Sequence, residues 1–205
     1  MSSELLKAFN TLKEKQWVDL THTFGANSPH FAAFKAAEID TLFNHDDGFF
    51  AQSFQFAGQY GTHIDAPIHF VRDTRYLEEL ELKELVLPLV VIDQSKEAAE
   101  DNDFTLSVDD IFTFEKAHGK IEEGSFVALR TDWSKRWPDE KEFNNKDAAG
   151  NNHAPGWGLE ALKFLFQERK IKAIGHETFD TDSSADYLKN GALHGEYYVL
   201  EQDTY

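Results

Sequence analysis

Gln59-Tyr-Gly-Thr-His63-Ile-Asp65-Ala-Pro-Ile-His69 is the stretch on which the reading of this chain turns. As extended backbone its side chains alternate, so Gln59, Gly61, His63 and Asp65 project to one side and Thr62 and Ile64 to the other. An amide oxygen, an imidazole nitrogen and a carboxylate on one face form a workable donor set for one divalent ion, Zn²⁺ or Mn²⁺. Gly61, lacking a side chain, leaves room for the ion and a water. Pro67 ends the strand ladder, and His69 lies just beyond the cluster. A lone His-x-Asp occurs in many surface loops. Here it sits among further polar donors, between the apolar flanks Phe56 and Phe70.

Outward from this segment the pattern alternates between helix and strand. Leu5, Leu6, Phe9 and Leu12 mark one face of an N-terminal amphipathic helix, and Trp17-Val-Asp-Leu-Thr21 reads as a strand. Phe50 to Phe56 alternates as a strand leading into the motif. Leu89 to Asp93 reads as a buried strand after Pro88. Ser107 with Asp110 forms a capping box that opens a helix carrying Val108, Ile111 and Phe112. Ser125 to Thr131 is a further strand. From Trp133 to Trp157 apolar periodicity is low; three tryptophans there suit either a lid over a pocket or a surface insertion pinned by aromatics. Leu159, Leu162, Leu165 and Phe166 mark a helix, Ile171 to Gly175 a strand, and Tyr197-Tyr-Val-Leu200 a last strand-like run. Such mixing predicts an α/β or α+β class in one domain spanning 1–205.

Composition limits the functions available. A formal net charge of −17 in 205 residues disfavours nucleic acid and anionic membrane as partners and favours a cation or a small-molecule substrate. With no cysteine, disulfides, thiolate ligands and thiol nucleophiles are excluded. Met1 to Glu4 lacks the features of a signal peptide, which makes the cytoplasm the default location. The 18 phenylalanines serve a core, a pocket or a subunit interface, and core filling is expected to take most of them.

The 59–69 segment resembles the signature of the cyclase family of metal-dependent hydrolases, His-x-Gly-Thr-His-x-Asp-x-Pro-x-His, in its glutamine variant. Trp17 to His22, Gly124 to Trp133, Pro155 to Ala161 and Lys172 to Thr178 are similar to further family stretches, in the family's order. The resemblance implies the swivelling β/β/α fold with a mixed sheet, assembled as a homodimer or homotetramer. It implies hydrolysis of an amide, a cyclic amide or a lactone by a metal-activated water. Carried over by position, His63 and Asp65 match metal ligands, and His69 matches a general acid/base. Gln59 stands where many members have a first histidine ligand. Glu201 matches the glutamate of a second metal site, but Lys189 stands at that site's histidine, so a single divalent ion is expected. His176 is a candidate extra ligand. The family also continues into a closing strand beyond the point where this sequence stops, at Tyr205.

Alternative readings are an arylformamidase acting on N-formylkynurenine, a non-catalytic small-ligand binder, and an oligomerising structural protein. Elsewhere, His176 to Asp182 is dense in ligand-type residues and reads equally as a capping turn. His22, His30, His45 and His153 read as surface or packing residues, and His194 as part of a turn.

Overall fold

A computed structural model describes residues 3–205. Helix α1 (Ser3–Lys13) comes first, and none of its residues is buried. Strands β1 (Glu38–Phe43) and β2 (Ala51–Gln55) then form an antiparallel hairpin with Ile39 opposite Phe54 and a bulge between Thr41 and Phe43. The remainder supplies β3 (Leu89–Asp93), α2 (Ser95–Glu100), β4 (Thr105–Leu106), α3 (Val108–His118), β5 (Phe126–Arg130), α4 (Glu140–Asn144), β6 (Gly156–Trp157), α5 (Leu159–Phe164), β7 (Ala173–Gly175), α6 (Ser184–Asn190) and α7 (His194–Glu201).

Strands β3, β5 and β7 form a parallel sheet in that order, with Val91 opposite Ala128 and Ala128 opposite Gly175. Alternation along these strands sends Ile92, Val127, Leu129 and Ile174 to one face. There they meet Ile111 of α3, Ala161 and Leu162 of α5, and Val199 of α7 in one apolar cluster that also holds Leu106 and Trp157. Parallel sheets are ordinarily covered on both faces. In β3, Leu89 and Val91 point the other way and are exposed. A short parallel pair, β4 with β6, lies beside this sheet. Its Gly156 allows close approach: a Cβ there would come within 2.5 Å of the Ser183 backbone nitrogen.

Most expected elements form where local signals placed them. Leu89–Asp93 is a strand, and Ser107 with Asp110 makes both capping-box bonds. Five details differ. Trp17 to Thr21 forms no strand and is exposed, since no neighbouring strand takes up its backbone groups. Tyr197 to Leu200 is helical, within α7. The 133–157 segment is ordered by a 3₁₀ turn, α4 and β6, and two of its tryptophans, Trp133 and Trp157, are buried in the body. Core filling does not take most of the phenylalanines: Phe143 is buried, whereas ten of the 18 are exposed, because the N-terminal elements that carry many of them pack little. Parallel and antiparallel pairings also fall in separate sheets instead of sharing one. Among the described residues no helix is long and apolar enough to cross a membrane.

One ion pair ties α3 to the end of α5, whose last turns widen into a π-helix over Leu165–Arg169. Arg169 Nε and Nη2 donate to Glu115 Oε1 and Oε2 at 2.6 and 2.8 Å, and Glu115 Oε1 also accepts from the Ile121 amide at 3.0 Å. The Arg169 guanidinium lowers the Glu115 pKa below its ordinary 4.5. A depressed carboxylate pKa stabilises the fold above the unfolded value, and that contribution is lost as pH falls through the folded value. Replacing Glu115 by Gln should lower unfolding free energy at neutral pH by about 2 kcal/mol in urea titrations. The gap between variant and parent should narrow as pH falls below 4.5 and through the lowered folded pKa of Glu115; a gap with no pH dependence in the acid range would refute an ionic origin.

Candidate functional site

The 59–69 segment is not a straight strand. Gly61 adopts φ 74°, a left-handed conformation that favours glycine, and a 3₁₀ turn covers Pro67–His69. The turn, not vacant space for an ion, is what requires the glycine: a Cβ at Gly61 would touch the Phe24 ring at 3.4 Å. The chain nevertheless brings His63, Asp65 and His69 together. His63 Nε2 lies 3.4 Å from Asp65 Oδ2, and His69 Nε2 lies 3.7 Å from Asp65 Oδ1. Gln59 also reaches Asp65, its side chain helping to hold that carboxyl down.

Proton positions follow from the partners. His63 Nδ1 lies 2.7 Å from the Gly61 carbonyl. A carbonyl can only accept, so Nδ1 carries a hydrogen, and Nε2 faces the Asp65 carboxylate, which favours a proton on that nitrogen as well when no cation stands between them. That orientation is the one a backbone carbonyl imposes on metal-bound imidazoles. Asp65 Oδ1 is buried and has no hydrogen-bond partner. Burial works against charge on both groups. It is outweighed in His63 by Asp65 and the Gly61 carbonyl, which raise its pKa, and in Asp65 by the two imidazoles, which lower it.

A second layer comes from the 176–182 turn and from α7. His176 is held by Thr178 Oγ1 at 3.2 Å and Thr181 Oγ1 at 3.3 Å, and burial lowers its pKa, favouring the neutral ring. Burial raises the Asp180 carboxyl to about 6, with help from the nearby Glu196 charge. Burial also raises Glu196, and the Asp65 charge adds to the effect. Asp182 accepts from the Gly195 and Glu196 amides at 2.8 and 2.9 Å, and Glu196 Oε2 accepts from the Thr181 amide at 3.2 Å. The start of α7 and the turn therefore cap each other. Gly195 is needed at this contact, since a Cβ there would fall 3.0 Å from Asp182 Oδ2. Glu177 points elsewhere, gathering Thr131, Trp133 and Ser134 at the end of β5.

On α7 it is Glu196 that faces the histidines, whereas Glu201 is exposed in the last turn. Sequence reasoning missed Asp180 and Glu196. The ligand-rich turn flagged the first; nothing local flagged the second. Aromatic rings flank the site on the N-terminal side: Phe24 meets Phe56 and Tyr60 edge-on at 5.0 and 5.5 Å, and His22 stacks on Trp137 at 4.4 Å.

Do these residues fit a divalent ion? Among the described residues no group of three or more His, Asp or Glu side chains is spaced to hold a metal ion as it stands. The chemistry nevertheless fits. Two donors on an ion bonded at 2.0–2.2 Å stand roughly 3.3–3.6 Å apart in tetrahedral geometry, close to the His63–Asp65 spacing of 3.4 Å. An orphaned buried carboxylate oxygen and neighbouring carboxyls raised by burial and mutual repulsion are conditions that a cation relieves.

Known proteins are similar to this chain in sequence and fold. The family model Cyclase matches residues 18–183. An isatin hydrolase of Roseibium aggregatum is 37% identical over 171 residues, 81% of this chain and 63% of that protein. The match therefore spans less than two thirds of that relative's length. The structure of isatin hydrolase A from Labrenzia aggregata, bound to benzyl benzoate, superposes with a TM-score of 0.89 at 31% identity, covering 98% of this chain and 84% of the other. An isatin hydrolase bound to the product analogue thioisatinate gives a TM-score of 0.88 at 30% identity, covering 100% and 84%.

Replacing Asp182 by Ala strips the acceptor from two buried amides and should cost about 3 kcal/mol in urea unfolding. Asp182→Asn, which keeps one acceptor oxygen, should lose about half as much. A loss under about 1 kcal/mol for the alanine variant would show that this carboxylate does not seat α7.

Proposed function

The chain belongs to the cyclase family, and on that premise we propose that it is a metal-dependent hydrolase opening a planar cyclic amide of the isatin type. One observation carries the reading: the Asp65 carboxylate stands between two imidazole nitrogens with a buried oxygen left unpartnered. Support for the substrate class comes from the isatin hydrolases at 30–37% identity and from the aromatic rings beside the site.

In this proposal Gln59, His63 and Asp65 hold one divalent ion, Zn²⁺ or Mn²⁺. When bound, that ion lowers the pKa of a water and polarises the substrate carbonyl. The chain's own residues do the rest. The Gly61 carbonyl fixes the His63 tautomer, so its Nε2 is the donor nitrogen. His69, beside Asp65, takes the proton of the attacking water and returns it to the leaving nitrogen, while Asp65 orients its ring. The rings of Phe24, Phe56, Tyr60 and Trp137 exclude water and flank a flat substrate. Neutral His176 and the buried Asp180 and Glu196 close the site on its C-terminal side. An amide oxygen from Gln59 is a harder donor than imidazole, which favours Mn²⁺ relative to an all-histidine set.

Metal analysis of purified protein with a hydrolase screen over cyclic amides, formamides and lactones tests the reading. His63→Ala should lose bound metal and lower turnover by roughly a thousandfold or more. His69→Ala should keep the metal and lose about 10²–10⁴-fold in kcat. Full activity in the His63 variant would sink the mechanism, and stoichiometric metal without turnover of any class would favour a binding protein.

A further inference from the structure

His69 is carried by a loop that closes on itself. The Ile68 amide donates to the Arg75 carbonyl at 3.1 Å, and the His69 and Val71 amides donate to the Ala66 and Pro67 carbonyls at 2.9 and 3.0 Å. Thr74 Oγ1 donates to the Val71 carbonyl at 2.5 Å, and Asp73 turns the chain back through a left-handed φ of 60°. These bonds fix the shape of residues 66–75 but not where the loop sits. Its placement falls to α7, which packs against the Pro67–His69 turn, and to one side chain at the neck. The half-buried Arg75 reaches out of the loop altogether. Its Nε donates to Asp203 Oδ1 at 2.7 Å and its Nη2 to the Asp203 carbonyl at 2.9 Å, while Nη1 donates to Glu84 Oε1 and Oε2 at 3.0 and 3.1 Å.

Both acceptors are themselves anchored. Asp203 stands just past α7 with a left-handed φ of 58°, and its amide donates to the Leu200 carbonyl at 3.2 Å. The residues after it join the parallel sheet: Thr204 Oγ1 donates to the Lys172 carbonyl, and the Ile174 amide of β7 donates to the Tyr205 carbonyl at 3.1 Å. Glu84 closes its own turn by accepting from the Glu81 amide at 3.0 Å, and Tyr205 Oη donates to the Glu84 carbonyl. A single exposed ion pair contributes little. Arg75 differs, because one planar fork draws three separate segments to a point, residues 68–75, 81–84 and 203–205. Arg75 and Asp203 are 128 positions apart in sequence, so the contact serves no local element. It joins the histidine loop to the helix that carries Glu196.

We propose that Arg75 is a positioning residue for the hydrolytic reaction: its guanidinium pins the His69 loop to the segment after α7 and so fixes the general acid/base against the C-terminal half of the site. The inference rests on the hydrolase reading for what His69 does, and on the contacts alone for the clamp. None of the Arg75 side-chain hydrogen bonds goes to Gln59, His63, Asp65 or His69. The ligand turn is held by other bonds, among them His63 Nδ1 to the Gly61 carbonyl. Loosening the clamp therefore displaces His69 and leaves the metal donors in place. A proton-transfer group must lie within hydrogen-bond reach of its target. Misplacing it by about 1 Å through a change outside the chemistry lowers turnover by up to about a hundredfold.

Arg75→Gln, which removes both the charge and the fork, tests this by two readouts on the full chain. With isatin as substrate, kcat should fall about 10–100-fold while KM stays within about threefold, and the metal content of the purified protein should not change. Hydrogen–deuterium exchange should quicken in peptides covering residues 66–75 and 202–205 and stay as it was over residues 59–65. Arg75→Lys restores the charge and a single contact, so it should recover part of both effects; it also carries the test should the glutamine variant fail to fold. Asp203→Asn, which still tolerates the left-handed backbone, should repeat the loss more weakly. Combined with Arg75→Gln it should be no worse than Arg75→Gln alone. Glu115→Gln is the control, a variant destabilised elsewhere whose kcat should be unchanged. If the parent turned over no substrate, the hydrolase reading would fail, and exchange alone would decide whether Arg75 holds the loop. An unchanged kcat, a loss of metal that matches the loss of turnover, unaltered exchange over residues 66–75, or additive losses in the double variant would overturn the proposal.

Discussion

Everything on the C-terminal side of the site hangs on a reciprocal cap. A helix begins with amides that have no partner inside it, and at α7 the Asp182 carboxylate takes two of them from across a turn. The same helix returns a carboxylate, Glu196, to the Thr181 amide. The 181–183 backbone lies flat on Gly156, where even a methyl group would collide. These contacts are short and buried, so α7, the turn and β6 behave as one block, and its acidic surface is what the His63–Asp65–His69 turn faces.

That facing explains the electrostatics. Asp65, Asp180 and Glu196 share one region with His63, His69 and His176, and the carboxyls farthest from a charged partner are pushed upward by burial and by each other. Asp65, between two imidazoles, is pulled downward. Such a gradient stores a demand for positive charge at one place. The family relationship and the Nδ1 bond that orients His63 agree with that demand independently.

Short-range signals were legible in the sequence and long-range ones were not. Ser107 and Asp110 stand three residues apart, so their capping box could be read directly. Leu89 to Asp93 announced itself by β-branched residues. Tyr197 to Leu200 carried the same kind of signal yet became helix, because its N-terminal amides are satisfied by Asp182, some distance back along the chain. The face that α7 turns inward follows from that cap, which is why Glu196 and not Glu201 meets the histidines. The Gln59–His69 cluster was legible in composition; its geometry came from the left-handed Gly61 and not from strand alternation. The phenylalanines misled for a related reason: composition counts apolar side chains but does not say which of them the chain itself covers.

The reciprocal cap also bears on how the molecule comes to be made. The histidine turn leaves the ribosome early, but the carboxylates that face it and the helix they anchor follow roughly 130 residues later. Until then β3 and β5 can pair and α3 can cover them, since those contacts need only intervening sequence. The site has no back wall during that interval. Its assembly is therefore a late event by topology, and the nascent chain passes through a stage in which the core is largely laid down while the acidic half of the site has yet to arrive.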